Sequence, residues 1–231
     1  MQVSQRTAAA VLRRTFSGRP FGVRVHVLGR FYSCPYLRTL HHVAAGAQVL
    51  DVGSGHGLFS VLALEAGAAS VTVLEPDLRK TLVSFRHPRV QVVAGRVDAL
   101  DGRFDLVTLF DVLYRIPLED RDRLLLAVRD RLLPGGVLLV KEMDPGRRLK
   151  AAWNRAQEWV SDRFLGLTLG SGFHYESSAG VLERLAACGF EDCRMEDIGR
   201  GYPHAHVSYT SRRPASPTPA THPAEGSDRP L

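Results

Sequence analysis

Lysine is nearly missing from this chain: three lysines stand against 27 arginines in 231 residues. Acids are missing altogether from the first fifty residues, which carry seven arginines, Arg6, Arg13, Arg14, Arg19, Arg24, Arg30 and Arg38. Residues 51 to 231 hold 23 basic and 24 acidic side chains, so the formal charge of +6 belongs to the N-terminal stretch. A GC-rich coding bias accounts for arginine over lysine, but not for the missing acids. Cysteine is scarce and odd in number (Cys34, Cys188, Cys193), without zinc-type spacing, which argues against a disulfide framework and a structural metal. No apolar run approaches bilayer length, and the start has no apolar segment followed by a cleavage site. These absences lead us to expect a cytoplasmic protein with reduced cysteines, and the length suits one α/β domain with decorations.

What the chain does have is a short apolar strand running into a glycine-rich turn, VLDVGSGHG (Val49 to Gly57), followed by LFSVLALEAG with the apolar spacing of a helix. Glycine lacks a Cβ, so such a loop takes positive φ and lies close against a ligand, while the helix start offers free N–H groups. This is a grip for a nucleotide-like molecule. The dinucleotide fingerprint G-x-G-x-x-G would need its third glycine at Leu58, but here the third glycine comes one residue early, which disfavours a nicotinamide oxidoreductase.

Acid followed by G-x-G-x-G, as in DVGSGHG, resembles motif I of the class I S-adenosylmethionine (SAM) dependent methyltransferases, and the resemblance runs from about Ala47 to Tyr209. It implies an α/β, Rossmann-like, doubly wound sheet of about seven strands, mostly parallel with an antiparallel last strand and helices on both faces. Strands are expected at Ala47 to Val52, Ser70 to Glu75, Arg89 to Ala94, Phe104 to Phe110 and Gly136 to Lys141. A helix is expected at Leu118 to Leu133, stopped by Pro134-Gly135-Gly136, and another near Ser178 to Cys188. A closing pair, Glu191 to Ile198 and His204 to Thr210, is similar to the family's last hairpin. The resemblance assigns the cofactor SAM to Asp51, Gly53, Ser54, Gly55, His56, Gly57 and Glu75. Glu75, at the end of the second strand, is the expected ribose anchor, since a carboxylate is acceptor-only and takes two O–H donors at once. Many small-molecule members carry Gly-Asp after the third strand to approach the adenine amino group. This chain has Gly95-Arg96, leaving Asp98 as the candidate contact, with Asp101 or backbone groups as alternatives.

LFDVLYRIP (Leu109 to Pro117) resembles the segment after the fourth strand in small-molecule methyltransferases of the ubiquinone-biosynthesis kind. It lacks the Asn-Pro-Pro-Tyr type motif of enzymes that methylate nucleic-acid bases or glutamine, so no nucleic-acid partner is expected. Asp111 and Tyr114 lie where open α/β sheets place ligands and are candidate catalytic residues. His174 is the preferred base among His56, His174, His204 and His206, because it sits in an insertion beside Tyr175. A methyl acceptor that is already a thiolate, phenolate or carbanion needs no base.

The expected organisation is a basic cap at 1–45, a methyltransferase domain at 46–213 with a lid or acceptor insertion at 144–177, and a proline-rich disordered tail at 214–231. Trp153, Trp159, Phe164, Phe173 and Tyr175 make that insertion a candidate apolar acceptor wall or a piece of core. The acid-free cap favours an anionic acceptor or peripheral contact with a membrane surface. FYSCPYLRTLHH (Phe31 to His42) brings aromatics to the mouth of the cofactor pocket or seals a core edge. The resulting reading is methyl transfer from SAM to a small-molecule or lipid-like acceptor, with no metal. The competing one is a catalytically silent SAM-binding scaffold that docks a partner or membrane through its basic N-terminus.

Overall fold

The computed structural model describes residues 3–76, 87–143 and 174–215. Seven strands form one sheet. They are β1 (Gln48–Val52), β2 (Ser70–Leu74), β3 (Val90–Val93), β4 (Phe104–Phe110), β5 (Leu132–Met143), β6 (Glu191–Asp197) and β7 (His206–Arg212), in the order β3-β2-β1-β4-β5-β7-β6. Neighbours among the first five pair in parallel, and only β7 runs against the rest, paired with β5 on one side and β6 on the other. The expected doubly wound sheet with an antiparallel last strand is what forms.

Period-two alternation in these strands separates two apolar layers. Val49, Leu106 and Leu139 point to one face, where they join Leu12, Phe16, Val27, Phe31, Phe59 and Leu62. Leu50, Val107, Leu138 and Val140 point to the other, against Leu125, Val128, Leu185 and Phe190. The first layer is covered by helices α1 (Gln5–Thr15), α2 (Phe21–Ser33) and α4 (Leu58–Ala66), the second by α5 (Leu118–Arg131) and α6 (Ser178–Ala187). A single-turn helix α3 (Tyr36–Thr39) leads towards β1.

The N-terminal stretch shares the core of the sheet. Ser4 caps α1 by accepting from the Thr7 N–H at 3.1 Å, and Ala8, Ala9, Leu12 and Phe16 give the helix one apolar face. Burying a leucine or phenylalanine contributes about 1.5 to 3 kcal/mol, so this face anchors α1 firmly. The arginines Arg6, Arg13, Arg14 and Arg24 remain exposed on the opposite side. Helix α2 also leaves Phe21, Val25 and Tyr32 uncovered, at 78%, 52% and 46% exposure.

Two boundaries differ from the sequence reading. Pro134-Gly135-Gly136 does not end an element before a strand. It lies inside β5, where the register against β4 shifts between Phe104 and Leu106 and Gly135 takes φ +75°. A Cβ on Gly136 would sit 2.8 Å from the Leu133 carbonyl oxygen, so the irregularity needs glycine there. His204 precedes β7 rather than opening it, and His206, its first residue, is buried. The tryptophans and phenylalanines of the insertion, Trp153, Trp159, Phe164 and Phe173, lie outside the described residues.

Candidate active site

The chain reverses direction across the sheet between β1 and β4: β2 and β3 extend to one side, β4 and β5 to the other. The crevice beyond the carboxyl ends of such strands is where open α/β sheets bind ligands. A cavity of about 640 Å³ opens there, lined by the loops after β1, β2, β3 and β4 and roofed by α2.

Gly53, Gly55 and Gly57 all take positive φ, at 68°, 56° and 74°. Gly53 is needed for space as well as for conformation, because a Cβ there would lie 2.7 Å from Val112 Cγ2. Among the described residues no atom lies within 4 Å of such a Cβ on Gly55, and this turn lines the cavity. The Gly55 N–H donates to Glu75 Oε2 at 2.8 Å, which ties the loop to the end of β2. Asp51 stands one step behind, buried, accepting from Ser60 Oγ at 2.6 Å and Thr108 Oγ1 at 2.9 Å. Burial pushes its carboxyl up to about 6, against the pull of those two hydroxyls. Gly57 does not line the cavity; it starts α4, its carbonyl accepting from the Val61 N–H at 3.0 Å. His56 lines the cavity and meets His26 of α2, ring centroids 5.1 Å apart.

Asp98 lines the cavity from a short 3-10 turn, Val97–Ala99, with its carboxylate shared between Arg96 at 3.2 Å and Arg123 at 3.4 Å.

Of the three candidate catalytic residues, Asp111 alone lines this cavity. It holds φ +58° directly after β4, a strained conformation for a residue with a side chain. Lys141 Nζ donates to both of its carboxylate oxygens at 2.8 Å, and Arg30 reaches across from α2 to pair with it. Burial alone would raise the Asp111 carboxyl, but the Lys141 and Arg30 charges outweigh it and hold the group well below the usual range. Tyr114 turns away because the chain enters a 3-10 turn, Leu113–Arg115, whose N–H groups are capped by the buried Glu142 carboxyl. The Tyr114 ring stacks on Tyr175 with centroids 5.8 Å apart, and its carbonyl accepts from the His174 N–H at 2.7 Å. Arg121 fixes this corner by donating to the carbonyls of Ile116 and His174 and to Glu176. Tyr114 and His174 therefore line a separate cavity of about 20 Å³, room for one water, and are not brought together with Asp111.

Sequence reasoning missed Lys141 and Glu142; it named Arg30 only as one of the N-terminal arginines and Tyr36 only within the aromatic segment Phe31 to His42. Lys141 carried one available signal, being one of three lysines in a chain that otherwise uses arginine.

The sheet order, the glycine turn and the acid at the end of β2 define a Rossmann-like protein of the class I methyltransferase type. The family model described as "Methyltransferase domain" matches residues 27–193. The chain belongs to that family, the class I SAM-dependent methyltransferases, with SAM as the cofactor. It is similar to the ribosomal protein L11 methyltransferase of Syntrophotalea carbinolica, 31% identical over 64% of this chain and 46% of that protein. It is also similar to the ubiquinone/menaquinone biosynthesis C-methyltransferase of Legionella pneumophila, 24% identical over 75% of this chain and 78% of that one. The chain spans about half the length of the L11 methyltransferases it matches. In fold it resembles the S-adenosylmethionine-dependent methyltransferase SibL, with a TM-score of 0.65 at 23% identity, covering 88% of this chain and 62% of that one.

The residues present fit such a cofactor. The Ser54 hydroxyl oxygen is buried at the cavity with no hydrogen-bond partner among the described residues, and the space above Gly55 is open. Such a polar atom in a cavity wall is completed by a ligand.

Proposed function

We propose that this protein transfers the SAM methyl group to a small-molecule or lipid-like acceptor. The observation that carries the reading is one cavity, open to solvent on one side, that joins the glycine turn and Glu75 to a second wall made by α2 and the end of β4. When bound, SAM supplies a methyl group on a sulfonium, an electrophile that needs no further activation.

The residues have separable tasks. Glu75 receives the ribose hydroxyls, and the turn at Gly53, Ser54 and Gly55 lets the backbone lie against the ligand. His56 packs beside it, and Asp98 lies on the adenine side. Phe59, Phe110 and Tyr36 give the cavity an aromatic wall that excludes water and orients a planar or apolar acceptor. Asp111, kept ionised by Lys141 and Arg30, positions the acceptor. Tyr114 and His174 act through the turn that holds Asp111, since their contacts fix the residues after β4. Alignment of nucleophile and methyl then lowers the barrier.

The relatives named above carry names that refer to a ribosomal protein and to quinone biosynthesis, so acceptor class is the point to test. A cavity of this size, about 640 Å³, suits a small acceptor beside the cofactor. No helix among the described residues is long and apolar enough to cross a membrane. Peripheral contact is supported by Phe21, Val25 and Tyr32 on the outer face of α2, set among exposed arginines. Incubation with methyl-labelled SAM and fractionated metabolite, lipid, protein and RNA extracts decides the question by mass spectrometry. Label in a metabolite or lipid is expected. Label confined to protein or RNA refutes the acceptor class, and SAM binding without any labelled product favours a silent scaffold.

A further inference from the structure

Arg30 enters the cavity wall with more hydrogen-bonding capacity than the protein uses. Its Nη2 donates to Asp111 Oδ2 and, at 3.4 Å, to the Tyr36 hydroxyl. A guanidinium has five N–H donors in a fixed fork. The donors on Nε and Nη1 have no partner among the described residues, and the side chain is 37% exposed where it lines the cavity.

The charges around it do not balance. Arg30 and Lys141 are both cationic, and among the described residues Asp111 is the only ionised acid paired with them. His206 packs against the group without charge, its pKa pressed down to about 2 by burial and by Lys141. Burial pushes the Tyr36 hydroxyl up, so it stays neutral. Glu142, raised to about 8 by burial and then by the Asp111 charge, is largely protonated at neutral pH and already accepts from the turn at Val112 to Tyr114. One positive charge is left facing the cavity. Beside it stand aromatic rings: Tyr36 and Phe110 lie 5.9 Å apart between centroids, and Phe110 and Phe59 lie 4.5 Å apart.

We propose that Arg30, in the wall it forms with Tyr36 and Phe110, binds the carboxylate of an aromatic acid that serves as the methyl acceptor. A carboxylate matches the unused edge of the guanidinium fork, cancels the surplus charge, and carries its attached ring or chain onto the aromatic wall. The inference rests on the methyltransferase reading of the cavity. The amino-acid end of the cofactor offers the same carboxylate chemistry, and its capture by Arg30 is the outcome that would exclude an acid acceptor at this site.

Calorimetry on the full chain and its Arg30→Gln variant separates the sources. The ligands are S-adenosylhomocysteine, 5′-methylthioadenosine, which lacks the amino-acid end, and benzoate against its neutral counterpart benzamide. If the acceptor supplies the carboxylate, wild-type protein loaded with S-adenosylhomocysteine binds benzoate over benzamide. Arg30→Gln then loses that preference by about 10- to 100-fold, the range for a charge-assisted pair, with S-adenosylhomocysteine affinity unchanged. If instead Arg30→Gln weakens S-adenosylhomocysteine by a similar factor and leaves methylthioadenosine unaffected, Arg30 serves the cofactor and the proposal is overturned. Methylthioadenosine binding also shows that the variant is folded. Should it fail there, Arg30→Lys, which keeps the charge but loses the fork, is expected to show an intermediate loss. Unchanged affinity for both S-adenosylhomocysteine and benzoate overturns the proposal. If neither adenosyl ligand binds wild-type protein, the methyltransferase reading fails, while benzoate selectivity in the unliganded protein still decides the carboxylate site.

Discussion

Substituting alanine at Gly53 and at Gly55 should separate folding from binding, although the two residues are two apart in one turn. Both hold positive φ, which costs an L-residue roughly 1 to 2 kcal/mol. At Gly53 the new methyl would also lie 2.7 Å from Val112 Cγ2, an overpacked contact that adds about 1 to 3 kcal/mol. Gly53→Ala is therefore expected to destabilise the protein by about 2 to 5 kcal/mol in urea denaturation. Val112→Ala removes the offending carbon, so the same substitution in that background should cost only the backbone part, about 1 to 2 kcal/mol. Gly55→Ala meets nothing within 4 Å, so its stability cost is the backbone part alone. Its methyl nonetheless occupies cavity space, and SAM affinity by calorimetry should fall about tenfold or more. Equal costs of Gly53→Ala in the two Val112 backgrounds would show that the contact is not felt. Unchanged SAM affinity in Gly55→Ala would remove the open face of this turn from the cofactor site.

Glu75→Ala should weaken SAM binding by roughly 3 kcal/mol or more, from the loss of charge-assisted bonds to the ribose, with Glu75→Gln intermediate. Parent-like binding in a folded Glu75→Ala protein would rule out the ribose role. Stability should fall with acid through His206: its pKa is about 2 in the fold against an ordinary 6.5, so below pH 6.5 the unfolded chain takes up a proton that the native state refuses. The predicted slope is about 1.4 kcal/mol per pH unit between those limits, and His206→Asn should remove it from denaturation curves measured between pH 4 and 6.5. Asp51 works in the opposite sense, its contribution being full below about pH 3.8 and lost as pH rises through about 6, and Asp51→Asn should flatten that limb. Replacing the exposed Arg6, Arg13, Arg14 and Arg24 by Gln should lower sedimentation with anionic vesicles and its salt dependence, while SAM affinity stays at the parent value. Unaltered vesicle binding would leave coding bias as the explanation of those arginines.

The parts of this site that were legible in the sequence are local. A strand that ends in DVGSGHG, a second strand that ends in Glu75, and the short apolar runs at Phe104–Phe110 and around Leu138 each announce themselves within about ten residues. The second wall depends on partners far apart in the chain. Arg30 meets Asp111 across 81 residues and Lys141 meets it across 30, and no pattern in a window joins them. Tyr114 was misleading for a related reason: its position after β4 suggested a cavity residue, but a buried carboxyl at Glu142 caps the backbone of that turn and rotates the ring away. Charge told only half of the story of the N-terminal stretch. Its arginines suggested a basic cap, and the apolar residues Leu12, Phe16, Val27 and Phe31 between them join the core of the sheet.

The last strand in the chain is not at the edge of the sheet. β7 inserts between β5 and β6, pairing residues 206–212 with residues 137–143. During synthesis, β5 must therefore wait, with its long apolar edge unpaired, until some seventy further residues have left the ribosome. An open edge of that kind invites pairing with other nascent chains. The sheet therefore closes only after residue 212 has been made, and a chain that stops short of residue 206 would leave the β5 edge open.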